Sequence, residues 1–435
     1  MHIWYVNHYS GGPGIATAER AFRLAQAWQD NGIGCSVIMG SFHHLMLPEA
    51  DFDAPVRTNG VTYHFVKTSP YSGNGVSRLR NILDFARGLY RVASRVPDQL
   101  PKPDVIIYSC PHPHGIYAAR DLARKFQAQL VFEIRDLWPL SLTELLGTSR
   151  FHPFVQVTAH AERFAFKHAD VVASVLPKAW LYMVERGYGS KPFIVVPNGL
   201  SETFAEGATL QSPTALKASR ILEAWRSDGR VVFVYAGALG PPNSVVEFLD
   251  AVGPGATLDD GTRVGVLVFG RGPLSQTIQE KVDAFGEGFA YCGQVPKNEL
   301  RALLRRCDVG YAGLVDRPDL FKYGISPNKI MDYFTEGLPV LLPITPCGDP
   351  VSMSQGGIAR SISDRVGLRS AIIELAALSS EQRRRLGERG KSYVLANHRF
   401  DDIAARYRQA LQTRPQPASA YAEEIRTEEK VASYA

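Results

Sequence analysis

Short apolar runs alternate with stretches of helical spacing along most of the chain, and the alternation occurs twice. The first series places strands at His2 to Asn7, Cys35 to Met39, Thr62 to Val66, Val105 to Tyr108, Leu130 to Ile134, Val171 to Ser174 and Phe193 to Val196. Between the first two, Thr17 to Asn31 has helical spacing and Gly32-Ile-Gly34 closes it, which makes a βαβ opening. Residues 201–228 are polar and lack strand character, and a second series then begins. Its strands are expected at Val231 to Ala236, Val264 to Phe269, Phe289 to Gly293 and Val309 to Ala312, with a last buried strand after Gly337. Strands that alternate with helices predict mostly parallel sheets covered on both faces, twice over. In such sheets ligands sit beyond the carboxyl ends of the strands, so the loops there carry the candidate chemistry.

Three loops of the first half stand out: Gly11-Gly12-Pro-Gly14, Ser109-Cys-Pro-His112-Pro-His114-Gly115 and Arg135-Asp136-Leu-Trp-Pro139. A dinucleotide fingerprint requires Gly-x-Gly-x-x-Gly and a later acidic ribose partner; the first loop does not fit it, which disfavours NAD. Glycine is also needed at such turns for packing alone, and a lone loop histidine is commonly a packing residue. In the second half the glycine-rich turns Gly237 to Gly240 and Gly270 to Gly272 repeat the arrangement. Residues 321–343 organise this half: a polar loop, a short amphipathic helix, a turn and a buried strand. Pro327 suits a first helical turn and Ser326 an N-cap. Exposed N–H groups there, with Lys329 as counter-charge, suit a phosphate, and Asp332 one turn beyond Asn328 suits a sugar hydroxyl pair. Ser-Pro-Asn is equally an ordinary way to begin a helix.

The chain has 435 residues, which favours two domains. No run approaches the roughly 20 apolar residues of a membrane span. The first residues read as a strand rather than a secretory leader, so cytoplasmic residence is the default expectation. Five scattered cysteines have no metal-like spacing and suggest neither a disulfide framework nor a zinc site. A net charge of +5, without basic runs, argues against a nucleic-acid platform. One local basic feature does change the picture. Ser77 to Val96 reads as a helix with Arg80, Arg87, Arg91 and Arg95 on one face, which is either a solvated stripe or a dock for an anionic membrane surface.

Several segments together carry a resemblance up to about residue 412: Asn7-His-Tyr with the glycines after it, Gly73 to Arg78, Phe132 to Pro139, Val196-Pro-Asn-Gly199, Tyr235 to Gly240, and Gly324 to Tyr333 with Gly337-Leu-Pro-Val340. The chain resembles retaining glycosyltransferases of family 4, similar to the WbuB-like subgroup of bacterial surface-polysaccharide assembly. The resemblance implies a GT-B fold, α/β, with two doubly wound Rossmann-like domains facing across a cleft. It implies an acceptor-binding domain over residues 1–198, a nucleotide-sugar-binding domain over 199–390 and a helix over 391–412 packing back on the first domain. Beyond Thr413 the chain turns to Pro, Ala, Glu and Lys without apolar periodicity, which predicts a disordered tail over 413–435. The implied donor is a nucleotide-sugar of the UDP type, used as co-substrate with no cofactor and no metal. The implied acceptor is a glycan or lipid-linked oligosaccharide, in O-antigen, capsule or exopolysaccharide synthesis, at the cytoplasmic side of the inner membrane.

Family members carry two glutamates with seven residues between them; Asp332 stands at the second position and Gly324 at the first. Their usual Arg and Lys after the first strand of the second domain are replaced by Ala238 and Asn243. The donor contacts expected here are Gly237, Gly240, Arg271, Ser326, Asn328, Lys329 and Asp332, with Lys322 a further possible cation. Expected acceptor contacts are Gly11, Gly12, Gly14, Arg78 and Arg135, and the catalytic candidates are His112 and Asp136, ahead of His114 and Glu133. A front-face reaction suits a retaining site without an evident carboxylate nucleophile. A catalytically silent homologue that binds nucleotide or glycan as a scaffold is the alternative, motivated by Gly324 and the missing cations.

Overall fold

The structure, a computed structural model, describes residues 1–47, 54–73, 75–109, 111–200 and 209–422. The chain forms two compact units: Met1–Gly199 with Lys322–Ser326 and Phe400–Ala435, and Leu200–Phe321 with Pro327–Arg399.

The first unit is built on eight strands: β1 (His2–Val6), β2 (Gly34–Gly40), β3 (Val56–Thr58), β4 (Val61–Val66), β5 (Val105–Tyr108), β6 (Gln129–Ile134), β7 (Val171–Ser174) and β8 (Phe193–Val195), in the order β3-β4-β2-β1-β5-β6-β7-β8. Every neighbouring pair is parallel except β3 with β4. Tyr5 pairs with Val37 on one side and Ile107 on the other, so the middle of β1 is the centre of the sheet. Its Ile3, Trp4, Tyr5 and Val6 are all buried, as expected of a parallel strand covered on both faces. The β3–β4 hairpin is absent from the sequence reading although its signal is there: Thr58 pairs with Val61 across Asn59-Gly60, both at positive φ, the two-residue turn that favours Asn-Gly.

Glu133 on β6 is fully buried and ties four segments together. It accepts from Arg20 Nε at 2.9 Å, from the Tyr5 hydroxyl at 3.1 Å and from the Tyr407 hydroxyl. Arg20, at the start of helix Arg20–Gln29, also donates to the carbonyls of Val196 (2.8 Å) and Pro197 (2.6 Å). The Glu133 carboxylate, a catalytic candidate by sequence, is therefore engaged by the fold instead.

Two expectations about the C-terminal part need correction. The limit at 390/391 falls inside the continuous helix Ser380–Asn397, and the segment that returns to the first unit is helix Phe400–Gln412. Tyr407 reaches Glu133, and Trp28 donates to the Ala404 carbonyl at 3.2 Å. The tail expected to be disordered from 413 is ordered as far as it is described. Phe193 donates to the Gln416 carbonyl (3.1 Å), and Ala418 to that of Lys191 (2.9 Å), so the tail adds to the free edge of β8, whose polar groups need partners. Residues 423–435 lie outside the described residues.

The second unit holds β9 (Val231–Ala236), β10 (Val264–Phe269), β11 (Phe289–Gly293), β12 (Val309–Tyr311), β13 (Val340–Leu342) and β14 (Gly357–Ala359), all parallel, in the order β11-β10-β9-β12-β13-β14. The three-residue β14 is too short to carry an apolar pattern and went unread. Among the described residues no helix is long and apolar enough to cross a membrane.

Candidate functional site

In each sheet the connections run outward in opposite directions from one pair of neighbouring strands, and the crevice at the carboxyl ends of that pair is where an α/β fold accepts a ligand. The pairs are β1/β5 in the first unit and β9/β12 in the second.

Beyond β1 and β5 the chain gathers imidazoles and aromatic rings. His8 Nδ1 and His112 Nε2 share a hydrogen bond of 2.9 Å. His8 stacks on Phe85 (4.4 Å between centroids) and on Tyr9 (4.5 Å); His112 meets Tyr9, Trp138 and His114. Burial holds His8 and His112 well below the ordinary imidazole range, His43 at about 3 and His114 at about 4, so this floor is neutral at physiological pH. His112, expected to meet a sugar, is 0 % exposed and meets His8 instead. It can position the loop, and its burial leaves it no surface for a ligand.

The accessible groups there are Arg78, half-buried with its guanidinium 5.7 Å over the Tyr9 ring and 5.9 Å over the Tyr71 ring, and His44, bonded to the Tyr71 hydroxyl at 2.8 Å. Arg135 is half-buried, 4.0 Å from Glu133. Asp136 is exposed yet has protein on most sides; this crowding raises its carboxyl, and the Arg135 charge opposes the rise. The glycine loop is accounted for by packing. A Cβ on Gly11 would lie 2.6 Å from that of Ala16, and one on Gly12 would lie 2.2 Å from the Tyr63 hydroxyl. Gly14, exposed at positive φ with open space around it, has room for a ligand. Gly12→Ala is expected to cost about 1–3 kcal/mol of stability through overpacking against Tyr63; a denaturation midpoint equal to that of wild type would refute the packing reading.

In the second unit the side chain at the switch point is Lys329, from the first turn of helix Asn328–Thr335. Its Nζ donates to Asn243 Oδ1 at 2.6 Å, the Tyr235 hydroxyl at 3.3 Å and the Gly313 carbonyl at 3.5 Å, and sits 4.7 Å from the Tyr235 ring centroid. These acceptors come from β9, from the 3₁₀ turn Pro241–Asn243 that follows it and from the loop beyond β12, and they are neutral. Lys329 as a whole is half-buried, but its ammonium has protein on most sides; among the described residues no carboxylate pairs with it, and this local burial lowers the ammonium to about 7. Tyr333 of the same helix pins it in place: its hydroxyl accepts from Ala236 N–H (2.8 Å) on β9 and donates to the Tyr311 carbonyl (3.2 Å) on β12. Gly310 makes room for this ring, since a Cβ there would lie 2.5 Å from it.

Other expected donor contacts divide. Ser326 is not the N-cap; Pro327 is, and the Ser326 hydroxyl accepts from Asn198 N–H at 3.0 Å within the first unit. The helix N-terminus therefore keeps its N–H groups without a side-chain cap, with Asn328 exposed and Asp332 half-buried. Gly324 has φ +93°, so the position of the usual first glutamate adopts a left-handed backbone that glycine accepts readily. Gly237 and Gly240 lie in the loop beyond β9; Gly237 donates to the Phe269 carbonyl (3.1 Å), and Leu239 donates to that of Arg271 (3.1 Å), whose side chain is exposed. Lys322 pairs with Glu185 at 3.3 Å in the first unit. Tyr235, Asn243 and Tyr333 were missed. Only the order of strands in the sheet brings them to one place.

Residues 16–199 match the family described as Glycosyl transferase 4-like domain. No curated protein matches the sequence. Among solved structures, the sucrose-phosphate synthase of Thermosynechococcus elongatus is 14 % identical with a TM-score of 0.68, over 94 % of this chain and 98 % of that one. HepE of Anabaena, in complex with UDP-glucose, is 14 % identical with a TM-score of 0.63, over 95 % of this chain and 99 % of that one. WaaG, a glycosyltransferase involved in lipopolysaccharide biosynthesis, is 14 % identical with a TM-score of 0.62, over 94 % of this chain and 99 % of that one. The fold is GT-B, with two α/β units on parallel sheets.

Proposed function

We propose that this protein is a retaining, metal-independent glycosyltransferase of the WbuB-like kind, which moves a hexose-type residue from a UDP-sugar to a glycan or lipid-linked oligosaccharide during surface-polysaccharide synthesis. The observation that carries the reading is Lys329: a cation at the β9/β12 switch point surrounded by neutral acceptors, beside an uncapped helix N-terminus. An anionic diphosphate is the ligand such a place suits. Asp332, one turn on, would take the ribose hydroxyls, and Gly237, Gly240 and Arg271 would line the approach. The family match over residues 16–199, and the UDP-glucose that HepE holds, support a nucleotide-sugar as that ligand.

The leaving diphosphate would be stabilised by fixed donors and by Lys329 rather than by a metal ion, and would itself accept the acceptor's proton on the front face. In the first unit Arg78, Arg135, Asp136 and Gly14 are the groups that would meet the acceptor, over the neutral histidine floor. The test is nucleotide release from a panel of UDP-sugars in the presence of EDTA, with NMR assignment of the sugar product's anomer. Release should persist in EDTA with the anomeric configuration retained; abolition by EDTA, or inversion, would sink the mechanism.

Peripheral attachment to the inner membrane is part of the proposal. Helix Val76–Val92 turns Arg80, Arg87 and Arg91 to solvent, and beside them on the exposed face lie Val76 (82 % exposed), Leu79, Leu83 and Tyr90 (49 %). This outward face is both basic and apolar, unlike a merely solvated stripe. Arg95 lies beyond the helix in a 3₁₀ turn and is half-buried. At about 1 kcal/mol per basic residue, the Arg80, Arg87 and Arg91 to Glu triple variant should lose roughly 10²-fold or more in affinity for phosphatidylserine-containing liposomes. Undiminished co-sedimentation would exclude this face.

A further inference from the structure

Lys329 occupies an unusual position for a structural lysine, because among the described residues its partners are neutral oxygens and a ring. The Tyr235 hydroxyl donates its own proton to the Ala238 carbonyl at 2.6 Å and so presents a lone pair to the ammonium. Asn243 Oδ1, the nearest partner at 2.6 Å, belongs to the 3₁₀ turn that follows β9. Lys329 itself arrives from helix Asn328–Thr335, at its first turn. The groups that face it are the Tyr235 phenol from β9, which burial pushes far up, the Asn243 amide, and the Gly313 carbonyl from beyond β12; Asp332 and Tyr333 follow on its own helix. An ammonium so placed is poorly compensated until an anion arrives.

We propose that the donor's diphosphate supplies the counter-charge that Lys329 lacks, that its binding brings a proton from solvent onto this side chain, and that Asn243 is the positioning residue that holds the ammonium at the switch point. The inference rests on the donor-site reading above and adds proton linkage to it. Since burial lowers the free lysine to about 7 and a bound diphosphate raises it, affinity is greatest at low pH and falls as pH rises through 7.

The test is calorimetric titration with UDP-glucose, GDP-mannose and ADP-glucose in buffers of different ionisation enthalpy. A sugar diphosphate diester has no proton of its own to exchange near neutrality, so uptake reports on the protein. Wild type should take up about half a proton per bound donor at pH 7 and nearly one at pH 8.5, with Kd rising on the order of 20-fold from pH 6.5 to 8.5. Lys329→Arg should still bind, with neither uptake nor that pH dependence. Asn243→Asp, almost isosteric, would give the ammonium a carboxylate partner; it should abolish the uptake and weaken binding about tenfold or more. Binding by wild type without proton uptake, or uptake that persists in Lys329→Arg, overturns the linkage and leaves the donor site standing. Failure of every sugar nucleotide to bind overturns both.

Discussion

Lys329→Ala is expected to weaken donor binding by roughly 10²-fold or more, because truncating one member of a desolvated, hydrogen-bonded charge pair costs about 2–5 kcal/mol. The loss should appear in Kd for the nucleoside diphosphate and for its sugar conjugate alike, since the lysine faces the phosphates they share. Its fold should survive, since helix Asn328–Thr335 is anchored by Tyr333 between β9 and β12 independently of the lysine. Equal affinity in wild type and Lys329→Ala, measured by calorimetry on protein with an unchanged circular dichroism spectrum, would mean that the switch point of the second unit is not where the diphosphate sits.

Glu133→Ala should be strongly destabilising, at about 3–5 kcal/mol, because it leaves Arg20 as a buried charge without its counter-ion and takes the acceptor from the Tyr407 hydroxyl, while the Tyr5 hydroxyl keeps Ser109 Oγ at 2.8 Å. Tyr407→Phe, which removes one of those donors and keeps the ion pair, should cost only about 1 kcal/mol. The pH dependence follows from the same contacts. Burial would raise the Glu133 carboxyl, but the charges of Arg20 and Arg135 and the two tyrosine hydroxyls hold it below the ordinary range. A carboxylate held low contributes stability that is complete above its unfolded value of about 4.3 and is lost as pH falls through the lowered value. Denaturation of the first unit, followed by its tryptophan fluorescence, checks both statements. A Glu133→Ala midpoint like that of wild type would show that the hub is not structural.

The parallel architecture was legible because strands such as Val105–Tyr108, Val171–Ser174 and Val264–Phe269 are short apolar runs bounded by polar turns, with the same limits in sequence and structure. At Asn59-Gly60 the turn is explicit in the sequence, but the three-residue β3 before it is too short to show a pattern of its own. Lys329 and Asp332 could be singled out because a helix start after Ser-Pro-Asn is a local signal. Asn243, Tyr235 and Gly313 carry no local signal; they matter because β9 and β12 are neighbours, a fact of sheet order between residues 70 or more positions apart for Tyr235 and Gly313. His112 shows the opposite limit. Its position beyond β5 is legible, but its burial against Tyr9 and Trp138 depends on rings from the loops after β1 and β6, which spacing does not reveal.

The most direct test of a nucleotide-sugar site in the second unit is isothermal titration of wild type and Asp332→Ala with UDP, GDP, ADP and NAD. The account predicts saturable, one-site binding of UDP in preference to the others, with affinity lost in Asp332→Ala as the ribose hydroxyls lose their acceptor. Binding of none of them, a preference for NAD, or an isotherm that Asp332→Ala leaves unchanged would contradict it.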